Sequence, residues 1–152
     1  MIQIKSSPTA DTRTCDVSTV TKDTLIESSK QHINDVDHGL GFFVQMIIKA
    51  AEKHDADKLT DIDRFYADFQ TGFKVTEWWE NHKKISRHHL GKPEGVPSDV
   101  NLVDVLEMIV DCVMAGMARS GSVYPLEISD ELLQRAFGNT VELLKQNVEV
   151  AR

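Results

Sequence analysis

From residue 25 onward, apolar residues recur at three- and four-residue steps. Leu25, Val36, Leu40, Phe43, Ile47 and Ala51 share one helical face with Ser29, His32 and His54. Thr21 or Asp23 is placed to cap the start of that helix. Gly39 and Gly41 predict a kink, or a break into two helices. Thr60-Asp61-Ile62-Asp63 opens a further helix with Phe65, Tyr66 and Phe69 behind it, and Gly72 ends it. Thr76 opens another, carrying Trp78, Trp79 and His82. Residues 91–98 read as a loop on their Gly and Pro content. Ser98, Asp99 or Asn101 then caps a helix that runs to about Arg119. Ser129-Asp130-Glu131 opens a last amphipathic helix with Leu132, Leu133, Phe137, Val141, Leu144 and Val148 on its apolar face. No strand alternation is convincing. The first 22 residues, rich in Ser, Thr and Asp, read as an extended tail with a short strand at Ile2-Gln3-Ile4. The expectation is an all-α chain: a tail over 1–22 and one helical domain over 23–152.

Composition narrows the function classes. A chain of 152 residues is one domain's worth, with enough length to bury a core without staples. The formal net charge of −7 disfavours a nucleic acid polymer as partner, because such affinity comes from many Lys and Arg contacts. Cys15 and Cys112 make no disulfide framework, which fits a reducing compartment. No apolar run is long enough to cross a bilayer, and the start of the chain turns polar at once. The expectation is a cytoplasmic protein without a membrane partner. A homo-oligomer is compatible with this composition.

Candidate chemistry starts at Asp111. It lies in the run Leu102–Ala118, where Leu102, Leu106, Ile109, Val110, Val113 and Met117 form one face. Asp111 falls on the other side with Met108, Ala115 and Ala118, so the helix reads as apolar nearly all round and buried. A carboxylate there needs a cation or several hydrogen bonds. His54-Asp55 ends the first apolar stripe and can offer one metal two ligands. His32 lies on the same stripe, about six turns or 33 Å back if the helix is straight. It can join that metal only if the chain reverses at Gly39 and Gly41. Imidazole with carboxylate suits Mn, Fe, Co, Ni or Zn better than Mg. Such an ion lowers the pKa of water toward neutrality and polarises a phosphoryl oxygen. Glu107, one turn before Asp111, is a candidate to orient a ligand or activate water. His38 is structural, or an alternative to His32. Lys83, Lys84, Arg87 and Lys92 cluster in an otherwise acidic chain, and Lys83 and Arg87 are candidate phosphate contacts. Trp78, Trp79, Tyr66 and Phe65 read as core, with Trp78 or Tyr66 also a candidate stacking surface for a base.

The ordered set His32…His54-Asp55…Asp111 resembles the H…HD…D signature of the HD superfamily. His54-Asp55-Ala56-Asp57-Lys58 resembles its HD-x-x-K form. More closely, Lys53–Leu59, Trp79–Lys84 with Arg87-His88-His89, and Glu107–Asp111 resemble an uncharacterised family of small, largely phage-encoded proteins. The resemblance covers about residues 25–120. It implies a compact HD-type helical bundle and a metal-dependent phosphohydrolase. His32, His54, Asp55 and Asp111 would hold one ion, and the substrate would be a nucleotide or related small phosphoester. The histidines also resemble the cyclic-dinucleotide phosphodiesterase branch. That likeness implies a second ion at His82, His88 and His89, and a phosphate contact from Lys58. Here, however, Leu90-Gly91-Lys92-Pro93 follows where that branch has Gly-Tyr-Pro. The rival expectation is a non-catalytic binding protein on the same scaffold, engaging a host protein or sequestering a nucleotide.

Overall fold

A computed structural model describes residues 1–74, 77–91 and 95–151. The chain is all-α apart from one short sheet. Its elements are β1 (Ile2–Lys5), a 3-10 turn (Thr12–Thr14), α1 (Lys22–Lys53), α2 (Asp57–Thr60), α3 (Ile62–Gln70), α4 (Trp78–Ile85), α5 (Leu102–Ser120), α6 (Asp130–Gln146) and β2 (Val148–Ala151). Thr76, expected to open a helix, and Lys92 of the basic cluster lie outside the described residues. The chain divides into two compact units, residues 1–45 with 142–152 and residues 46–141.

In the first unit, β1 and β2 pair in parallel, with Ile2 opposite Val148 and Ile4 opposite Val150. The expected strand at the N-terminus is present and ties down the tail through buried Ile2. Its partner corrects the sequence reading, which placed Val148 on the last helix. Val-Glu-Val-Ala is too short an alternation to stand out beside a strong helical period. Thr21 caps α1, its Oγ1 accepting the Thr24 N–H at 3.1 Å. The break expected at Gly39 and Gly41 is absent, and α1 runs unbroken for 32 residues. Each isolated glycine costs a helix only about 1 kcal/mol. Ending the helix and nucleating a new one is the costlier alternative.

The second unit is built around Leu90, Val100, Val105, Met108 and Ala136, with Leu102, Cys112, Ile128 and Leu132 packed against them. A capping box fixes the start of α5. Asn101 accepts the Val103 N–H, and the Asp104 carboxylate accepts the Asn101 N–H at 2.8 Å. Gly121, at φ +68°, ends the helix in the left-handed conformation. The expectation that α5 is buried all round is not met: Leu106, Ile109, Val110, Met114 and Met117 are exposed. Only the side carrying Val105 and Met108 is in the core. Asp104, Met108 and Asp111, at three- and four-residue steps, run along that side toward the ligand cluster.

Aromatic rings join α3 to α4. Phe65 lies 4.4 Å from Trp78 and Phe73 lies 5.1 Å from Trp79, centroid to centroid. Trp78 is fully buried, as expected of a core residue, whereas Tyr66 is exposed. The buried carboxylate of Asp68 accepts the Trp79 N–H at 3.1 Å and so fixes the first turn of α4.

Candidate metal centre

Four pieces of the second unit deliver the ligands. At the end of α1 the His54 N–H still donates to the Ala50 carbonyl, at 2.8 Å. The next residue, Asp55, turns to φ +52°. Aspartate tolerates this left-handed conformation better than most residues, at a cost of about 1 kcal/mol or more. The turn sets His54 and Asp55 side by side and starts α2 at Asp57. His82 comes from the last turn of α4, His88 and His89 from the segment after it, and Glu107 and Asp111 from α5.

The hydrogen bonds fix which imidazole nitrogen is protonated. Nδ1 of His54 and Nδ1 of His88 both reach Oε1 of Glu107, at 2.9 and 3.1 Å. Nδ1 of His82 reaches Oδ2 of Asp57 at 2.8 Å. An ionised carboxylate only accepts, so each Nδ1 carries the proton, and in the neutral imidazole each Nε2 presents a lone pair. Those lone pairs converge on further acceptors. Nε2 of His82 lies 3.4 Å, and Nε2 of His88 3.6 Å, from Oδ1 of Asp55. Nε2 of His54 lies 3.6 Å from both Oδ2 of Asp55 and Oδ1 of Asp111. Nε2 of His89 is 2.9 Å from Nε2 of His82.

A lone pair facing a carboxylate oxygen is repulsive unless a proton or a metal cation stands between them, whereas His89 and His82 satisfy each other where one Nε2 carries its proton. Oδ1 of Asp55 is buried with no hydrogen-bond partner, which leaves the focus of the cluster unsatisfied. The separations fit an ion. With metal–ligand bonds of about 2.1 Å, neighbouring ligand atoms lie about 3.0–3.4 Å apart in octahedral or tetrahedral geometry. Asp55, His82, His88 and His89 bring one ligand atom each within 4.8 Å of one another. His54, His88 and Glu107 do the same. In that second group the short distances are hydrogen bonds through Nδ1, so we read Glu107 as orienting two ligands rather than being one.

Charge agrees with this geometry. Burial pushes Asp55 upward, but the Lys58 ammonium hydrogen-bonded to it, with His54 and His88 nearby, outweighs burial and holds it below the ordinary carboxylate range. Burial, then the neighbouring His88 and His82, lowers His89 to about 4. Near neutral pH, Asp55 is therefore an anion and His89 a neutral ligand.

Several expected site residues meet here: His54, Asp55, His82, His88 and His89, with Glu107 behind two of the imidazoles and Lys58 on Asp55; Asp111 lies 3.6 Å from His54 but is in neither group of ligand atoms. The sequence split these histidines between two sites, whereas Asp55 offers one oxygen toward His54 and the other toward His82 and His88. Others do not join. Among the described residues, His32 is in neither group of ligand atoms. The reversal that its role required does not occur, and it stands exposed on an unbroken α1, as does His38. Arg87, expected at phosphate, is committed elsewhere. Its Nε and Nη2 donate to the buried Asp104 carboxylate at 2.7 and 2.8 Å, and Nη1 donates to Asp99 at 3.1 Å. Lys83 pairs with Glu80 at 2.7 Å. The residue that sequence reasoning missed is Asp57. It stands two positions after Asp55 in plain view, but only the fold reveals that it faces His82. Comparison with protein-family models, curated proteins and solved structures found no match.

Proposed function

We propose that this cluster holds one or two divalent transition-metal ions and that the chain is an HD-type, metal-dependent phosphohydrolase acting on a nucleotide or a related small phosphoester. One observation carries the reading: three imidazole lone pairs are aimed at a carboxylate whose inner oxygen has no donor. Asp55, His82, His88 and His89 would hold one ion, and His54 and Asp111 stand near the other oxygen of Asp55, which Lys58 also contacts. A mixed nitrogen and oxygen set suits Mn, Fe, Co, Ni or Zn.

A divalent ion bound there supplies Lewis acidity, lowering the pKa of water and drawing charge from a phosphoryl oxygen. The chain's own residues do the rest. Glu107 holds the Nδ1 protons of His54 and His88, which fixes their tautomer and ring planes. Asp57 does the same for His82. Lys58 keeps Asp55 ionised and places a positive charge where phosphate oxygens arrive. The test is hydrolysis of a chromogenic phosphoester by protein stripped with chelator and then reloaded with Mn or Co. Turnover that appears only on reloading supports the reading. Bound metal without turnover of any phosphoester favours a binding protein on the same scaffold.

A further inference from the structure

A cleft of about 360 Å³ opens beside His89. His89 forms part of its wall and also belongs to the ligand cluster, so the cleft begins where the cluster ends. The indole of Trp79, the carboxylate of Glu80 and the ammonium-bearing side chains of Lys83 and Lys84, all from α4, line it together. Gly91 and Gly95 line it without side chains. Gly95 is required there, because a Cβ would come within 2.9 Å of the His89 carbonyl oxygen.

The volume is that of a small-molecule site and far exceeds one phosphate group. Among the described lining residues two lysines outnumber the one carboxylate, Glu80, so the cleft asks for anionic charge. The flat indole of Trp79, one helical turn before Lys83, asks for a ring. Lys83 is shared with Glu80, but that carboxylate is mostly exposed and can be solvated once an anion arrives.

We propose that this cleft binds the remainder of the substrate, a second phosphate against Lys83 and Lys84 and a nucleobase against Trp79. The substrate class is then a nucleoside di- or triphosphate rather than a simple monoester. This rests on the phosphohydrolase reading for what happens at the cluster, but binding in the cleft does not require turnover.

The test is equilibrium binding to the full chain, metal-free and Mn-loaded. The probes are a nucleoside triphosphate, the matching 5′-monophosphate, inorganic tripolyphosphate and p-nitrophenyl phosphate. The triphosphate is expected to bind the metal-free chain. It should bind the Lys83→Ala/Lys84→Ala variant about tenfold or more weakly. Metal content and helicity should be unchanged, since Lys84 is exposed and neither lysine offers a ligand atom to the cluster. Tripolyphosphate should lose affinity in the same variant but bind the unmodified chain less tightly than the nucleotide. Trp79→Phe, which keeps a ring against Phe73 and His82, should retain the nucleotide preference. Equal binding of triphosphate by the chain and the lysine variant overturns the proposal. So does an absence of triphosphate binding, or no preference for it over the monophosphate. Hydrolysis of p-nitrophenyl phosphate without such a preference leaves the hydrolase standing and removes the cleft. Triphosphate binding lost in the lysine variant, with no hydrolysis of any probe, does the reverse.

Discussion

Oε1 of Glu107 accepts the Nδ1–H of His54 at 2.9 Å across a sequence separation of 53 residues. The same oxygen accepts from His88 at 3.1 Å, so one carboxylate on α5 aims two imidazoles that come from different parts of the chain. Glu107→Gln keeps the shape but can present an amide N–H where an acceptor is needed. It should lower metal affinity about 10- to 100-fold while leaving helicity intact. Competition with a metallochromic chelator measures this. Unchanged affinity would show that the orienting contact does not matter.

His54→Ala and Asp55→Ala should each abolish tight metal binding and leave a helical protein. Asp55→Asn is the sharper variant. Asparagine also tolerates φ +52°, so the turn survives while the charge at the focus is removed. Metal content after stripping and reloading is the readout, with circular dichroism as the control for folding. Full metal occupancy in Asp55→Asn would remove Asp55 from the centre.

Titration with Mn or Zn should resolve two classes of site, because the two oxygens of Asp55 face different histidines. The His88→Ala/His89→Ala variant should lose one class and keep the one served by His54 and Asp111. A single class in both proteins would mean a mononuclear centre with these two histidines facing substrate.

His32→Ala should leave metal affinity unchanged, since α1 is unbroken between His32 and its C-terminal end. A large loss of affinity would show that the chain does reverse at Gly39 and Gly41. Arg87→Ala should behave in the opposite way from a substrate contact. It removes the fork that satisfies the buried Asp104 carboxylate. Because Arg87 is itself 38% exposed, water compensates part of the loss, and we expect a cost of about 1–3 kcal/mol. Thermal unfolding should show it, with metal affinity retained. A normal melting temperature combined with lost substrate affinity would return Arg87 to the phosphate.

The helices were legible because their period, caps and breakers agree: Thr21, Asn101, Gly72 and Gly121 each stand where an element begins or ends. The closely spaced histidines were legible as candidate ligands, whereas Asp111, read as a buried carboxylate, is 34% exposed because α5 buries only one side. Pairings set by long-range packing were not. Arg87 and Lys83 look alike as cations in sequence, but only the fold shows that Asp104 and Asp99 claim the first. His32 looked like a ligand by its place on a stripe, and whether a helix bends at glycine depends on packing rather than on the glycine. Parallel pairing of β1 with β2 joins the two ends of the chain, a contact no local pattern can signal.

The most direct test of the metal centre is an anomalous-difference map from crystals soaked with Mn or Zn. A peak is expected about 2.0–2.2 Å from Oδ1 of Asp55 and from the Nε2 atoms of His82, His88 or His89. Where two ions bind, a second peak should lie beside Nε2 of His54 and Asp111. A map with no peak near Asp55, or with metal bound through the Nδ1 atoms that now face Glu107 and Asp57, would contradict the proposed centre.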